Sequence, residues 1–147
     1  MNENPTIFSR EYDASGHFIK EYVTYPNQPK YLLREYFYND RNQLTEARSY
    51  SFNGVAAFTY LHEFNEEERT ETVYKQYGLN EKVIQSDYAY DKQHRLIMSK
   101  SYTQGQSYLK HHTQTFIYGA RNLVEMQIYQ DTERDDYYYK HFYTFFH

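Results

Sequence analysis

Aromatic residues recur along this chain at a spacing that few folds accommodate. Tyr12, Tyr38, Phe64, Tyr90 and Tyr118 stand 26, 26, 26 and 28 residues apart. Turn-like segments follow them: Asp13-Ala14-Ser15-Gly16, Asn39-Asp40-Arg41-Asn42, Asn65-Glu66-Glu67-Glu68, Asp91-Lys92-Gln93-His94 and Gly119-Ala120-Arg121-Asn122. An apolar residue comes next, Phe18, Leu44, Leu96 or Leu123, except in the third unit, where Thr70-Glu71 departs from the rule. A fixed period of this length is the signature of a repeat architecture. Asp and Asn side chains close turns on their own backbone, and Gly or Asn takes the left-handed conformation near the end of one. Tyr38 and Leu44 then flank a five-residue hairpin loop, a common strand connection.

A second set of turns alternates with the first: Tyr25-Pro26-Asn27-Gln28-Pro29, Phe52-Asn53-Gly54, Gly78-Leu79-Asn80, Gln104-Gly105 and Asp131-Thr132-Glu133-Arg134. All 5 glycines fall in turn segments. Each unit therefore reads as two strands, and residues 1–147 as one all-β domain. The expected fold is an antiparallel meander of about ten strands in five hairpin repeats of about 26 residues, curved or closed into a barrel-like sheet. Glu66 to Gln76 could start a helix, but Thr70, Thr72, Val73 and Tyr74 favour a strand.

Face parity sharpens the expectation, because a slip of one residue inverts a strand. A three-residue loop at Asn53, Gly54 and Val55 sets Tyr50 opposite Phe58 and Leu44 opposite Phe64. One face then carries Tyr36, Tyr38, Leu44, Tyr50, Phe52, Phe58, Tyr60 and Phe64, and the other Ala47, Ser49, Ala57 and Thr59.

Composition narrows the chemistry. Tyrosine supplies 20 of the 30 aromatic residues, and cysteine and tryptophan are absent. Phenols join a large apolar ring to a polar tip and suit half-buried sheet surfaces. A formal charge of -4, with both signs interspersed, lacks the basic stripe of a nucleic-acid partner. No apolar run is long enough for a membrane helix, and the first residues lack the pattern of a signal peptide. The expected location is cytoplasmic, with neither nucleic acid nor membrane as a partner.

Tyr12-Asp13-Ala14-Ser15-Gly16-His17-Phe18 and Tyr90-Asp91-Lys92-Gln93-His94-Arg95-Leu96 resemble the YD repeats of the RHS family, Tyr-Asp-x-x-Gly-x-Leu. Two of the five units hold both Tyr and Asp, and Tyr118-Gly119 reads as one residue short. The resemblance implies a curved sheet of stacked hairpins. In RHS proteins such repeats spiral into a hollow β-shell around a toxin. Five units cannot enclose a protein, so what carries over is a place among toxin and immunity proteins.

Several constellations bear on function. His111 and His112 are adjacent, so in a strand they point to opposite faces and cannot share a metal ion. The acid pairs in Glu66-Glu67-Glu68 and Asp135-Asp136 have nothing to desolvate them, no nucleophile elbow or P-loop is present, and no cofactor or metal is expected. A charged waist does interrupt the aromatic face: Glu46 and Arg48, Met98 and Lys100, Glu125 and Gln127, with Lys110, His112 and Gln114 on a returning strand. It would line a groove with tyrosine walls suited to a partner, or form simple cross-strand ion pairs. Glu66, Glu67 and Glu68 form one acidic loop, and Asp131, Glu133, Asp135 and Asp136 a second, which would steer a basic toxin domain. The aromatic end, Tyr137 to Phe146, either closes the sheet against the first strand or is a dimer seam.

The expected function is a non-enzymatic protein-binding module, an immunity protein that neutralises a cognate toxin. Its expected contacts are Glu46, Arg48, Lys100, His112, Glu66, Glu67 and Glu68. The alternative is a carbohydrate-binding or cell-surface structural β-repeat domain.

Overall fold

The computed structural model describes residues 5–104, 109–119, 121–131 and 134–142. The expected turns at Gly105 and at Thr132-Glu133, the residue Ala120, the side chains of Lys110 and Asp135, and the tail from Tyr143 onward lie outside what it describes. Eleven strands follow one another: β1 (Ile7–Tyr12), β2 (Phe18–Thr24), β3 (Lys30–Tyr38), β4 (Leu44–Tyr50), β5 (Ala56–Asn65), β6 (Thr70–Gln76), β7 (Val83–Tyr90), β8 (Leu96–Gln104), β9 (Leu109–Tyr118), β10 (Val124–Asp131) and β11 (Arg134–Lys140). Their order in the sheet is their order in the chain, an antiparallel meander. No described residue is helical, and the stretch open to a helical reading contains β6.

Among the described residues β11 pairs with β10 and not with β1, so of the two forms expected, curved or closed, the sheet is not the closed barrel. β1 has the character of an edge strand. It is 6 residues long, and charges at Arg10 and Glu11 reach Glu21 and Lys30 at 3.7 and 3.8 Å. Short, charged strands are how sheets blunt an open edge.

The chain divides into two compact units, Met1–His62 with Tyr74–Val83, and Glu63–Val73 with Ile84–His147. Both use one turn design. In the first unit the amide of Asp13 donates to the carbonyl of His17, and that of Asn39 to Gln43. In the second Asp91 bonds to Arg95, and Gly119 to Leu123. Asp13, Asn39 and Asp91 each accept the amides two and four residues on at 2.8–3.0 Å. The fourth loop residue is left-handed in all four turns: Gly16, Asn42, His94 and Asn122. Beside each turn the register slips at a bulge, so that Tyr12 opposes Phe18, Tyr38 opposes Leu44, Tyr90 opposes Leu96 and Tyr118 opposes Val124.

Two expectations change here. The last turn is a full five-residue loop, so Val124 rather than Leu123 faces the tyrosine. Gly119 has no side chain to cap its turn, and the Glu125 carboxylate fills the space, 1.9 Å from where a Cβ would stand. The expected three-residue loop after Phe52 is also a five-residue loop, Ser51 to Val55, closed by the Ser51 amide on the Val55 carbonyl with Gly54 left-handed at φ 76. Tyr50 thus opposes Ala56, and Phe58 opposes Ser49.

That register redistributes the faces. Tyr36 opposes Ala47 and Tyr60 opposes Ala47 from the other side, so the small residues are the floor under rings on their own face. Glu46 pairs with Phe37 and Leu61, and Arg48 with Glu35 and Thr59, on the opposite face. Tyr50 lies with the charges, because its hydroxyl reaches Glu35. The single aromatic face with a charged waist is therefore two faces, one of rings over Ala47 and Ser49 and one of charges with Tyr50. Among the described residues only Val23, Ala47 and Val73 are buried apolar side chains. Rings half-cover one another along the sheet, as with Phe18 on Tyr36 at 4.6 Å, in place of the second packed layer that usually buries a sheet face.

Candidate functional site

In the first unit the charged face is a cross-strand ladder. Tyr22 donates its hydroxyl to Glu11 at 3.1 Å, and the Lys30 ammonium sits 3.8 Å over the Tyr22 ring. Next, Glu35 accepts the Tyr50 hydroxyl, and Lys20 Nζ lies 3.3 Å from its other oxygen. At the far rung Arg48 bonds Glu46 and lays its guanidinium 4.4 Å from the centre of the Phe37 ring. The hydroxyl of Tyr50, with help from Lys20 and Arg48, holds the Glu35 carboxyl below the usual carboxylate range. Burial, then the bond to Glu35, pushes the Tyr50 phenol up. The Glu35 carboxylate is thus held ionised, the reverse of the tuning a general acid needs.

The second unit builds a related cluster. Asp87 accepts the Thr72 hydroxyl at 2.7 Å and the Tyr102 hydroxyl at 2.6 Å, with Lys100 opposite it across the β7–β8 pairing. Burial and the Asp87 carboxylate push the Tyr102 phenol up to about 12. Tyr90 likewise donates to Glu71 at 3.0 Å, and burial raises its phenol strongly.

Lys100 pairs with Thr113 while His112 pairs with Ser101, so Lys100 and His112 stand on opposite faces and share no groove. The charged waist expected to line one groove with both Lys100 and His112 is corrected on that ground. On its own face His112 has Asp131 at 3.8 Å and the Tyr129 ring at 5.6 Å. Tyr129 accepts the Gln114 amide at 2.8 Å and stacks on Tyr137 at 4.9 Å, nearly parallel at 6°. Tyr139 meets both rings edge-on. His111 pairs with Tyr102, on the face opposite His112. Among the described residues no group of three or more His, Asp or Glu is placed to hold a metal ion.

Glu66, Glu67 and Glu68 are exposed in the turn between β5 and β6, where Asn65 caps the Glu68 amide at 3.1 Å and Arg69 takes the left-handed conformation. The second acidic group is spread along strands, with Asp131 ending β10 and Asp136 in β11, bonded to Gln130 at 3.1 Å.

The tyrosine–carboxylate pairs escaped the reading of the sequence, although a signal was present. Glu35 and Tyr50 are 15 residues apart, as are Asp87 and Tyr102, and the second pair lies 52 residues beyond the first, twice the 26-residue spacing. Arg48 and Lys100, Tyr38 and Tyr90, and Lys20 and Thr72 keep the same offset.

No protein-family model matches the chain, and none of the curated proteins does. Among solved structures, the crystal structure of TcdB2-TccC3-Cdc42 shows a likeness at a TM-score of 0.37 and 11% identity over 92% of this chain. The chain spans 9% of the length of the one it matches there.

Proposed function

We propose that the chain is a non-enzymatic protein-binding module, and most concretely an immunity protein that binds and neutralises a toxin of the RHS type. The meander is read as five hairpin repeats of about 26 residues related to YD repeats. The observation that carries the binding role is the half-covered sheet itself. Rings and fixed charges line its faces, and large side chains such as Phe8, Phe52 and Tyr138 are 61%, 63% and 68% exposed. Rigid aromatics beside oriented charges are the composition of recognition surfaces. The exposed Glu66, Glu67 and Glu68 turn adds a negative patch that would speed encounter with a basic toxin domain. The toxin-directed part of the reading rests on the Tyr-Asp turn motifs.

Co-expression of the chain with the toxin domain encoded beside it tests the proposal. The expected outcome is rescue of growth and a complex that survives purification. Glu66→Lys, Glu67→Lys and Glu68→Lys combined should slow association more than dissociation. Absence of any complex and of any rescue would overturn the reading.

A further inference from the structure

Among the described residues β11 is an open edge, and its sequence is self-complementary. The amide of His141 donates to the carbonyl of Glu125 on the strand before. Backbone groups alternate direction along a strand, so Tyr139 and Tyr137 also address β10, where they pair with Gln127 and Tyr129. The amides and carbonyls of Tyr138 and Lys140 therefore point away from the sheet. The side chains on this edge are open too, with Tyr137, Tyr138 and Tyr139 exposed at 45%, 68% and 56%. β1, the other edge, carries charges already engaged with its neighbours. β11 has no such guard at its aromatic centre.

We infer that a second copy of this chain adds to β11 antiparallel, with Tyr138 opposite Tyr138 and Asp136 opposite Lys140. A two-fold axis normal to the sheet restricts the choice of register, because opposed residues must share a face. Tyr137, Tyr138 or Tyr139 can sit on the axis. Centring on Tyr137 sets Asp136 against Tyr138, with no ion pair. Centring on Tyr139 leaves Lys140 against Tyr138 and Asp136 against Phe142, with no ion pair. Centring on Tyr138 alone sets the Asp136 carboxylate against the Lys140 ammonium, twice by symmetry, on the face that carries Tyr138. The same register lets the two Tyr138 residues exchange backbone hydrogen bonds through the groups that point outward. The contact is isologous and closes at two copies.

Sedimentation equilibrium on the full chain tests this, and a dimer is the expected species. Asp136→Lys and Lys140→Asp should each weaken it about tenfold, since each places like charges opposite one another at symmetric positions. The double variant should restore it. Tyr138→Pro removes an outward amide at an edge position where proline is tolerated, and should give a folded monomer by circular dichroism. The chain has no cysteine, so Tyr138→Cys reports register directly. Hydrogen-bonded partners sit about 5.5 Å apart at Cα, within disulfide reach, and rapid oxidation to a covalent dimer is expected, with Tyr137→Cys much slower. A monomer at every soluble concentration would overturn the inference. So would a dimer indifferent to the charge exchange, or open-ended polymers, which would mean that β1 of one copy meets β11 of the next.

Discussion

The clusters around Glu35 and Asp87 occupy equivalent places in the two units and solve the same problem with different donors. Each carboxylate takes the hydroxyl of a tyrosine 15 residues on, Tyr50 or Tyr102, and faces a cation across the strand pair, Arg48 or Lys100. The third partner differs. Glu35 has the ammonium of Lys20, whereas Asp87 has the neutral hydroxyl of Thr72, at the position 52 residues later. Arg48 also has a carboxylate of its own in Glu46, where the second unit places Met98. The first cluster is thus an extended charge network whose cations, Lys20 and Arg48, are 38% and 43% exposed. The second is a tight hydrogen-bonded knot. A charge that can return to solvent loses little when its partner is removed, whereas hydroxyls held on one acceptor lose their geometry.

Removing the acceptors should break the comparison most strongly. Asp87→Ala leaves two hydroxyls without their acceptor and is expected to cost about 2 kcal/mol, and Glu35→Ala about 1 kcal/mol, because Tyr50 and its neighbours can turn to water. Urea unfolding at neutral pH gives both values. Asp87→Asn keeps an acceptor and should recover about half of the loss. Equal losses at the two sites would remove the distinction between network and knot.

Salt and pH separate the clusters further. Lys20→Thr gives the first cluster the donor of the second, and should reduce the part of its stability that declines with added salt, the part carried by Arg48 remaining. Glu35 titrates below the ordinary 4.5 in the folded chain. Its contribution is therefore complete above that value and disappears as pH falls through the folded one. The sign reverses for Tyr102. Its phenol is raised from 10.0 to about 12, so its contribution is intact below 10 and is lost as pH climbs toward 12. In Tyr102→Phe the alkaline limb of the unfolding profile should flatten while the acid limb stays unchanged.

Much of this architecture was legible in the residues, and what was not has a definite cause. Tyr-Asp and Tyr-Asn before a left-handed position specify the turns, because the side-chain cap and the backbone conformation are both local properties. The bulge beside each turn is not local. It arises where twist must be reconciled with pairing, and one extra residue is enough to move Tyr50 to the face of Glu35. Lys100 and His112 part without a bulge, because the unbroken β8–β9 register sets Lys100 against Thr113 and His112 against Ser101. Glu46 and Arg48 do meet, as alternate residues on one strand side. Barrel closure failed for another reason: strand count and aromatic content say nothing about whether the first strand can accept a new neighbour, and Arg10 and Glu11 spend their charges on the strands beside it.

The turns offer the finest test, because Asn42 and His94 are themselves 52 residues apart and both are left-handed, at φ 62 and 59. A left-handed conformation crowds the Cβ of any L-residue, and the short amide of asparagine offsets that cost by bonding nearby backbone, which an imidazole does less well. His94→Asn should therefore raise stability by about 0.5 kcal/mol, and Asn42→His should lower it by a similar amount. The two substitutions exchange residues between equivalent loops without touching either carboxylate cluster, so thermal unfolding of the double variant should match the parent. If both single changes moved stability in the same direction, the loops would not be equivalent, and the turn design shared by the two units would be a resemblance of backbone shape alone.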